Sequence, residues 1–304
     1  MQKTCIKEGP PQSYPVRKMP PLAALLLGLL VLVGRATENP KVISSFSIPG
    51  EWVEGLLPPE IKHRSLVGPK SETHSYQLSP RDVRDLSNAA LIVGCSKITE
   101  PYLHQWVTSN HREKDTLWLE ESPGIPALPT SHAWTNPKWV KLMVQNLATQ
   151  LHNKFPHLNL ETALHQKLKE VDETDAKIES YFNAIPSNQR ALITQHPNLG
   201  PFADRYQLNI IDTILPSASA ELTDLSVQKY RSLLQSIRTH HIRVIVIDEG
   251  ESSALAKNLT ISAQIPPPLP LSFEYLQPAG TPGSTWSAMM LLNAERLKAA
   301  LASN

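Results

Sequence analysis

Three of the eleven histidines stand in loops where imidazole groups from distant segments could share a metal ion. His74, His132 and His196 each follow a short apolar, β-branched run that predicts a strand. Open parallel sheets bind ligands at the carboxyl ends of their strands, and three imidazoles suit zinc. Their intervals form no local zinc-binding motif, so the spacing leaves ordinary surface histidines as the alternative.

Short apolar runs alternate with helical patterns after residue 40, which predicts a parallel, doubly wound α/β architecture. The predicted strands lie at residues 42–46, 65–67, 90–95, 116–119, 191–194, 209–214, 244–248, 259–265 and 272–276. One helix should begin at Ser79-Pro80, a polar N-cap followed by proline at the first helical position. Further helices are predicted at residues 137–153, 223–239 and 285–301.

The segment from Leu160 to Ile185 carries apolar residues at helical spacing, with charged residues between them. We interpret residues 158–186 as a long linking helix that acts as a rigid rod. It would join an N-terminal α/β lobe, residues 37–157, to a C-terminal α/β lobe, residues 187–304. An ordinary surface helix of one large domain is the alternative.

The first 36 residues are typical of a secretory signal peptide. The run from Leu22 to Gly34 is wholly apolar, is preceded by Arg17-Lys18, and is shorter than the roughly 20 residues of a membrane-spanning helix. Cleavage near Ala36 would leave an exported chain with no cysteine at the cut and hence no lipid anchor. Cys95 would be the only cysteine left, so no internal disulfide can form, and its apolar surroundings predict a buried thiol.

The composition and motifs exclude several classes of protein. Apolar residues make up 41% and charged residues 19% of the chain, which rules out a mostly disordered protein. The net charge of +1 gives no indication of nucleic-acid binding. The sequence has no metalloprotease helix motif, nucleophile elbow or glycine-rich cofactor fingerprint, so we expect no enzyme. A zinc hydrolase that uses three histidines and an open metal position remains the enzymatic alternative.

Six segments stand in a fixed order around the central charged helix. They are KVISSFSIPGEWVEGLLP, VGPKSETHSYQLSPRDVRDLSNAALIV, SHAWTNPKWVKLMVQNLATQL, RALITQHPNLGPFADRYQL, IRVIVIDEGESSALAKNL and STWSAMMLLNAERLKAAL. In this order they resemble the zinc/manganese-binding solute-binding proteins of ABC transporters, and the resemblance covers about residues 40–303.

The resemblance implies two Rossmann-like lobes with parallel sheets, joined by one long rigid helix, with a metal site in the interlobe cleft. It implies that His74 and His132 are ligands from the first lobe and that His196 is a ligand from the second. Histidine at the third position implies Zn²⁺ rather than Mn²⁺, in agreement with the preference of imidazole for zinc.

The chain departs from the family pattern at the fourth ligand and beside two of the histidines. Ser284 occupies the usual carboxylate position, so Asp248 is our predicted fourth ligand, with Glu249 and Glu251 nearby as other oxygen donors. The alternative for these acids is a stabilising role at a helix N-terminus. Glu72-Thr73 and Thr130-Ser131 stand where the family often has Asp-Pro, which alters the groups that orient the imidazoles.

We therefore expect a monomeric, periplasmic solute-binding protein that captures zinc and delivers it to an ABC transporter permease in the inner membrane. After signal cleavage it would have no direct membrane anchor, and it would bind no nucleic acid. Loss of the usual carboxylate leaves a second hypothesis open, a degenerate member that binds metal weakly and acts as an adaptor or sensor.

Overall fold

The computed structural model describes residues 41–128, 131–215, 226–250 and 254–302. The predicted signal peptide, residues 1–36, lies outside the described residues, as do Thr130 and Glu251. Residues 39–304 form one compact unit that contains two four-stranded parallel sheets. Within the described ranges, no helix combines the length and the apolar character needed to cross a membrane.

The first sheet has its strands in the order β2-β1-β3-β4, and every neighbouring pair is parallel. Its central strands β1 and β3 are buried along their whole length, as expected where helices cover both faces of a parallel sheet. The strands are β1 (Val42–Ser44), β2 (His63–Ser65), β3 (Leu91–Gly94) and β4 (Thr116–Trp118). The helices of this lobe are α1 (Ser47–Leu56), α2 (Pro80–Asn88), α3 (Pro101–Ser109) and α4 (Pro137–Lys154).

The second sheet repeats this arrangement after the long helix α5 (Glu161–Asn183). Its order, β6-β5-β7-β8, again places the first and third strands of the lobe side by side at the centre. The strands are β5 (Ala191–Thr194), β6 (Asn209–Thr213), β7 (Ile245–Asp248) and β8 (Leu269–Leu271). The helices are α6 (Gly200–Tyr206), α7 (Val227–Thr239), α8 (Ala254–Ala263) and α9 (Trp286–Ala302). The predicted α/β fold with two lobes is confirmed.

Helix α5 is a 23-residue helix, about 35 Å long at 1.5 Å per residue. Its inner face consists of residues three or four apart, and it packs against helices from both lobes, namely α1, α4, α6 and α9. The residues of this buried face are Lys167, Val171, Thr174, Ile178 and Phe182. The helix therefore spans both halves of the molecule along one buried stripe, and its charged residues other than Lys167 lie outside that stripe.

The predicted start of helix α2 is confirmed by its capping geometry. The Ser79 side chain accepts a hydrogen bond from the backbone N–H of Asp82, and the Asp82 carboxylate accepts one from the backbone N–H of Ser79. Asp82 also accepts hydrogen bonds from Arg64 and from the hydroxyl of Tyr76. These bonds hold the pKa of Asp82 below its usual value despite its burial, and they fix the chain just after His74.

Two strand predictions are wrong. Residues 259–265 lie largely in helix α8, where Leu259 and Ala256 face the core while Ile261 is exposed. Packing at helical spacing therefore overrides the β-branched composition of this segment. The last strand is Leu269–Leu271 rather than residues 272–276. It includes Pro270, which has no backbone N–H to donate and is tolerated because β8 is an edge strand.

The ion pair between Lys167 and Glu51 anchors helix α5 to helix α1. Lys167 Nζ lies 2.6 Å from Glu51 Oε1, and the two side chains are only 10% and 17% exposed. Burial raises the pKa of Glu51 even though the Lys167 ammonium opposes that shift. The Lys167 ammonium thus offsets part of the cost of burying the Glu51 carboxylate.

Replacing Lys167 by alanine should lower the free energy of unfolding by about 3 kcal/mol, because Glu51 would lose its partner in a buried environment. The control is Lys169→Ala on the exposed face of the same helix, where the Lys169–Glu173 pair is 67% and 69% exposed. That change should cost about 0.5 kcal/mol or less. Denaturant unfolding of the three proteins measures the difference, and equal losses for both variants would contradict the anchoring role.

Candidate metal centre

His74 lies in the loop that follows strand β2, and a neighbouring carboxylate holds the backbone around it. Glu72 accepts hydrogen bonds from the backbone N–H groups of His74 and Ser75, and from the Ser75 hydroxyl. The imidazole is 22% exposed. Glu72 is one of the positions at which the sequence departs from the Asp-Pro pattern, yet its carboxylate still orders the turn that carries the histidine.

His132 lies beyond strand β4 in a left-handed backbone conformation, with a φ of 87°. This conformation costs a non-glycine residue roughly 1–2 kcal/mol and persists only when the surroundings impose it. Glu120 does so, because its carboxylate accepts hydrogen bonds from the backbone N–H groups of His132 and Ala133, at 2.9 and 2.8 Å, and from the Ser131 hydroxyl. The His132 imidazole is consequently buried and directed towards the second lobe.

Glu274 reaches the two imidazoles from the loop between strand β8 and helix α9. Its Oε1 lies 3.1 Å from His132 Nε2, and its Oε2 lies 3.5 Å from His74 Nε2. One ligand atom from each of the three side chains lies within 4.8 Å of the others, a spacing at which one cation could contact all three. In the described part of the chain, no other group of three histidine, cysteine or acidic side chains has ligand atoms this close together.

Hydrogen bonds to the first lobe fix the loop that carries Glu274. The indole N–H of Trp134 donates to the carbonyl of Phe273 at 2.8 Å. On the other side of Glu274, the backbone N–H of Leu276 donates to Ser47 Oγ, and the backbone N–H of Lys70 donates to the carbonyl of Leu276. Glu274 therefore belongs to the second lobe by sequence and is held against the first lobe in space.

His196 and Asp248 lie next to each other because they follow the two central strands of the second sheet. Strands β5 and β7 pair through Thr194 and Val246, so the residues two positions further on meet at the carboxyl edge. His196 Nδ1 lies 2.7 Å from Asp248 Oδ2, and both residues line a cavity of about 260 Å³ together with His74 and Glu274. Since Asp248 engages Nδ1, Nε2 is the nitrogen through which His196 could bind a cation.

The charges in the cluster act on one another. Burial lowers the pKa of each imidazole, but the Glu274 carboxylate outweighs it, and the pKa values of both His74 and His132 are raised. Burial alone would raise the pKa of Glu274, and the two imidazoles instead hold it well below its usual range. A cation bound by these imidazoles would have to displace any proton that they carry, because imidazole ligands must be neutral.

Three of the four predicted site residues, His74, His196 and Asp248, line the cavity, and His132 contacts Glu274 at its wall, but the contacts of the four differ. His74 and His132 converge with Glu274, whereas His196 and Asp248 bond to each other. Ser284 is not among the residues that line the cavity.

Sequence reasoning did not select Glu274, because residues 272–276 were predicted as a strand. Glu274 is, however, the only acidic residue between Leu271 and Trp286. With strand β8 placed correctly, the segment after it would have been recognised as a ligand loop at the carboxyl end of a strand, and Glu274 as its one carboxylate.

Replacing Glu120 by alanine should lower the free energy of unfolding by about 3 kcal/mol, because three buried donors would lose their acceptor and His132 would lose the support of its left-handed conformation. The matched control is Glu121→Ala. Glu121 is the next residue, and its side chain is 55% exposed and paired with the surface residue Lys97. Its loss should cost about 0.5 kcal/mol or less. Unfolding curves that shift equally for both variants would refute this role of Glu120.

Comparisons with known proteins agree with this architecture. Residues 42–300 match the family described as "Zinc-uptake complex component A periplasmic" (ZnuA). The chain is 20% identical to the manganese ABC transporter substrate-binding lipoprotein PsaA of Streptococcus mitis, over 94% of this chain and 100% of that protein. It is 21% identical to the iron ABC transporter substrate-binding lipoprotein MtsA of Streptococcus pyogenes serotype M1, over 88% and 90% of the two chains.

The solved structure of the periplasmic zinc binding protein TroA from Treponema pallidum has the same fold. It superposes with a TM-score of 0.78 at 20% identity, over 87% of this chain and all of TroA. The family match covers both sheets, the long helix and the histidine loops. The chain therefore belongs to the ZnuA family and is a solute-binding protein of the metal ABC transporter class, not an enzyme.

Proposed function

We propose that the protein captures one divalent transition-metal ion, with zinc as its principal cargo, in the cavity between its two lobes. The observation that carries this proposal is the convergence of His74, His132 and Glu274 from three separate loops. Ligand atoms within 4.8 Å of one another, with a carboxylate held against one buried and one partly buried imidazole, are an arrangement that a cation would stabilise.

His196 is the proposed fourth ligand, bound through Nε2. Asp248 accepts a hydrogen bond at one oxygen from His196 and at the other from Asn198, so it is suited to orient the imidazole rather than to contact the metal. Carboxylates that accept the second ring N–H of a metal-binding histidine commonly fix its orientation and increase its basicity. In this proposal Glu274 takes the place that the sequence suggested for Asp248.

The donor set supports zinc as the cargo. Three imidazoles and one carboxylate make four ligands, which matches the tetrahedral coordination of zinc. Manganese prefers more oxygen ligands and, in the ordinary order of divalent stabilities, binds nitrogen-rich sites more weakly. The names of the relatives include zinc, manganese and iron, so family membership does not decide between these metals.

The cargo would be handed to a membrane permease that works with an ATPase. Residues 1–36 supply the export signal in this proposal, and the mature chain acts as a monomer in the periplasm. A permease can distinguish loaded from empty protein only if the metal binds one conformation more tightly than the other. The proposed ligand set provides such a difference, because His74, His132 and Glu274 are held by the first lobe whereas His196 belongs to the second.

The first test is a zinc and manganese titration of the purified protein after it has been stripped with a chelator, using a competing indicator. We expect one zinc per chain, bound about 100-fold or more tightly than manganese because of the imidazole-rich donor set. Tighter binding of manganese would overturn the choice of zinc. Binding of neither ion below micromolar concentration would instead support a degenerate adaptor or sensor.

The second test assigns the ligands. Alanine substitution of His74, His132 or Glu274 should each weaken zinc binding by about 100-fold or more, which exceeds the loss expected for a group that only orients a ligand. His152→Ala, an exposed histidine on helix α4, is the control and should leave the affinity unchanged. A tenfold or smaller loss for any one of the three would remove that residue from the ligand set.

A further inference from the structure

Asn198 lies between the carboxylates of Asp248 and Glu274 and donates a hydrogen bond to each. It stands in the loop between strand β5 and helix α6, two residues after His196, and is 3% exposed. Its Nδ2 donates to Asp248 Oδ1 at 2.7 Å and to Glu274 Oε1 at 2.9 Å. One side-chain amide group therefore joins the carboxylate that orients His196 to the carboxylate that faces His74 and His132.

The chemistry of these contacts fixes the orientation of the amide. Ionised carboxylates only accept hydrogen bonds, and an asparagine side chain has one NH₂ group with two hydrogens and one oxygen that only accepts. The carboxylate oxygens of Asp248 and Glu274 must therefore face the amide nitrogen of Asn198, and each accepts one of its two N–H hydrogens. Both donors of the amide are used, so its rotation would break two charge-assisted bonds in a buried setting.

The bond from Asn198 restricts the position of Glu274. A glutamate side chain has several rotatable bonds, and its terminal torsion has a broad preference, so the carboxylate is not fixed by its own rotamer. The backbone on either side of Glu274 is bound to the first lobe, but those bonds do not reach its carboxylate. Among the described residues, Asn198 donates to that carboxylate from the second lobe as a neutral group, and it holds Oε1 while the carboxylate faces the imidazoles.

We propose that Asn198 is a positioning residue for metal binding: anchored by its bond to Asp248, it holds the Glu274 carboxylate in the ligand position. This inference rests on the proposed function, because it concerns how the same cavity binds its cargo. Asn198 contacts no metal in this scheme and acts through Glu274. Its loss should weaken zinc binding by about 10–100-fold, as for other groups that orient metal ligands.

The test is a double-mutant cycle with zinc as the probe, on the full chain. Zinc affinity is measured for the unsubstituted protein, Asn198→Ala, Glu274→Ala and the double variant. Because Asn198 acts through Glu274, its substitution should weaken binding by about 10–100-fold when Glu274 is present and by no more than about threefold when Glu274 is alanine. In a His74→Ala background, where Glu274 is still present, Asn198→Ala should keep its full effect.

Two further variants separate positioning from a general structural role. Asn198→Leu removes the donors but keeps most of the volume, and it should weaken zinc binding as Asn198→Ala does. Asn146→Ala removes another asparagine whose amide donates to a side chain, Ser122, away from the cavity, and should leave zinc affinity unchanged. Denaturant unfolding of each metal-free variant shows whether a loss of affinity accompanies a loss of stability.

The outcomes are distinguishable. If the unsubstituted protein binds no zinc, the proposed function fails, and the inference about Asn198 fails with it. If that protein binds zinc but Asn198→Ala and Asn198→Leu bind it equally well, only the inference fails. An equal loss of affinity with and without Glu274 would also overturn it, because Asn198 would then act by another route.

Discussion

The contact between the Glu274 carboxylate and the imidazoles of His74 and His132 joins the two lobes where a cation would bind. All three groups lie in loops, so none is fixed by the hydrogen bonds of a helix or strand. Glu72 and Glu120 instead accept backbone N–H groups beside the two histidines. The geometry of the centre therefore depends on carboxylates that never face the cation.

The same contact sets the charge of the cavity. Glu274 raises the pKa of both imidazoles, and they lower its own, so the metal-free centre favours protons where the cation would lie. Glu72 and Glu120 add further negative charge behind the imidazoles and contribute to the raised pKa values of His74 and His132 respectively. Such an environment attracts a divalent cation and makes it compete with protons for the same nitrogen atoms.

Most of the fold could be predicted from the sequence because its signals are local. The apolar spacing from Leu160 to Ile185 predicted helix α5, and Ser79-Pro80 predicted the start of α2. The histidine loops also followed from strand positions, since a parallel sheet brings loops that follow its strands to one edge. The errors lie where tertiary contacts decide, as in helix α8, where core packing selects the buried face.

Glu274 could not be predicted by the same reasoning, because its position depends on long-range contacts. Trp134 is 139 residues away from Phe273, and Ser47 is 229 residues away from Leu276, yet their hydrogen bonds place the loop. A pattern of neighbouring residues in the sequence carries no information about hydrogen bonds between residues so far apart. The strand predicted at residues 272–276 included Glu274, the one acidic residue of that loop, and the family pattern pointed to Ser284 instead.

The arrangement of these bonds also bears on how cargo would leave. Glu274 is tied to the first lobe through its own loop, and Trp286 of helix α9 donates a hydrogen bond to the carbonyl of Trp134. Helix α5 packs against helices of both lobes, which opposes a wide hinge motion. The pair His196–Asp248 is instead fixed on strands β5 and β7, and Asn198 links it to Glu274. The Asn198–Glu274 hydrogen bond therefore joins a loop of the second sheet to a carboxylate that is held against the first lobe, so a relative displacement of the lobes would change the distance between Glu274 and His196.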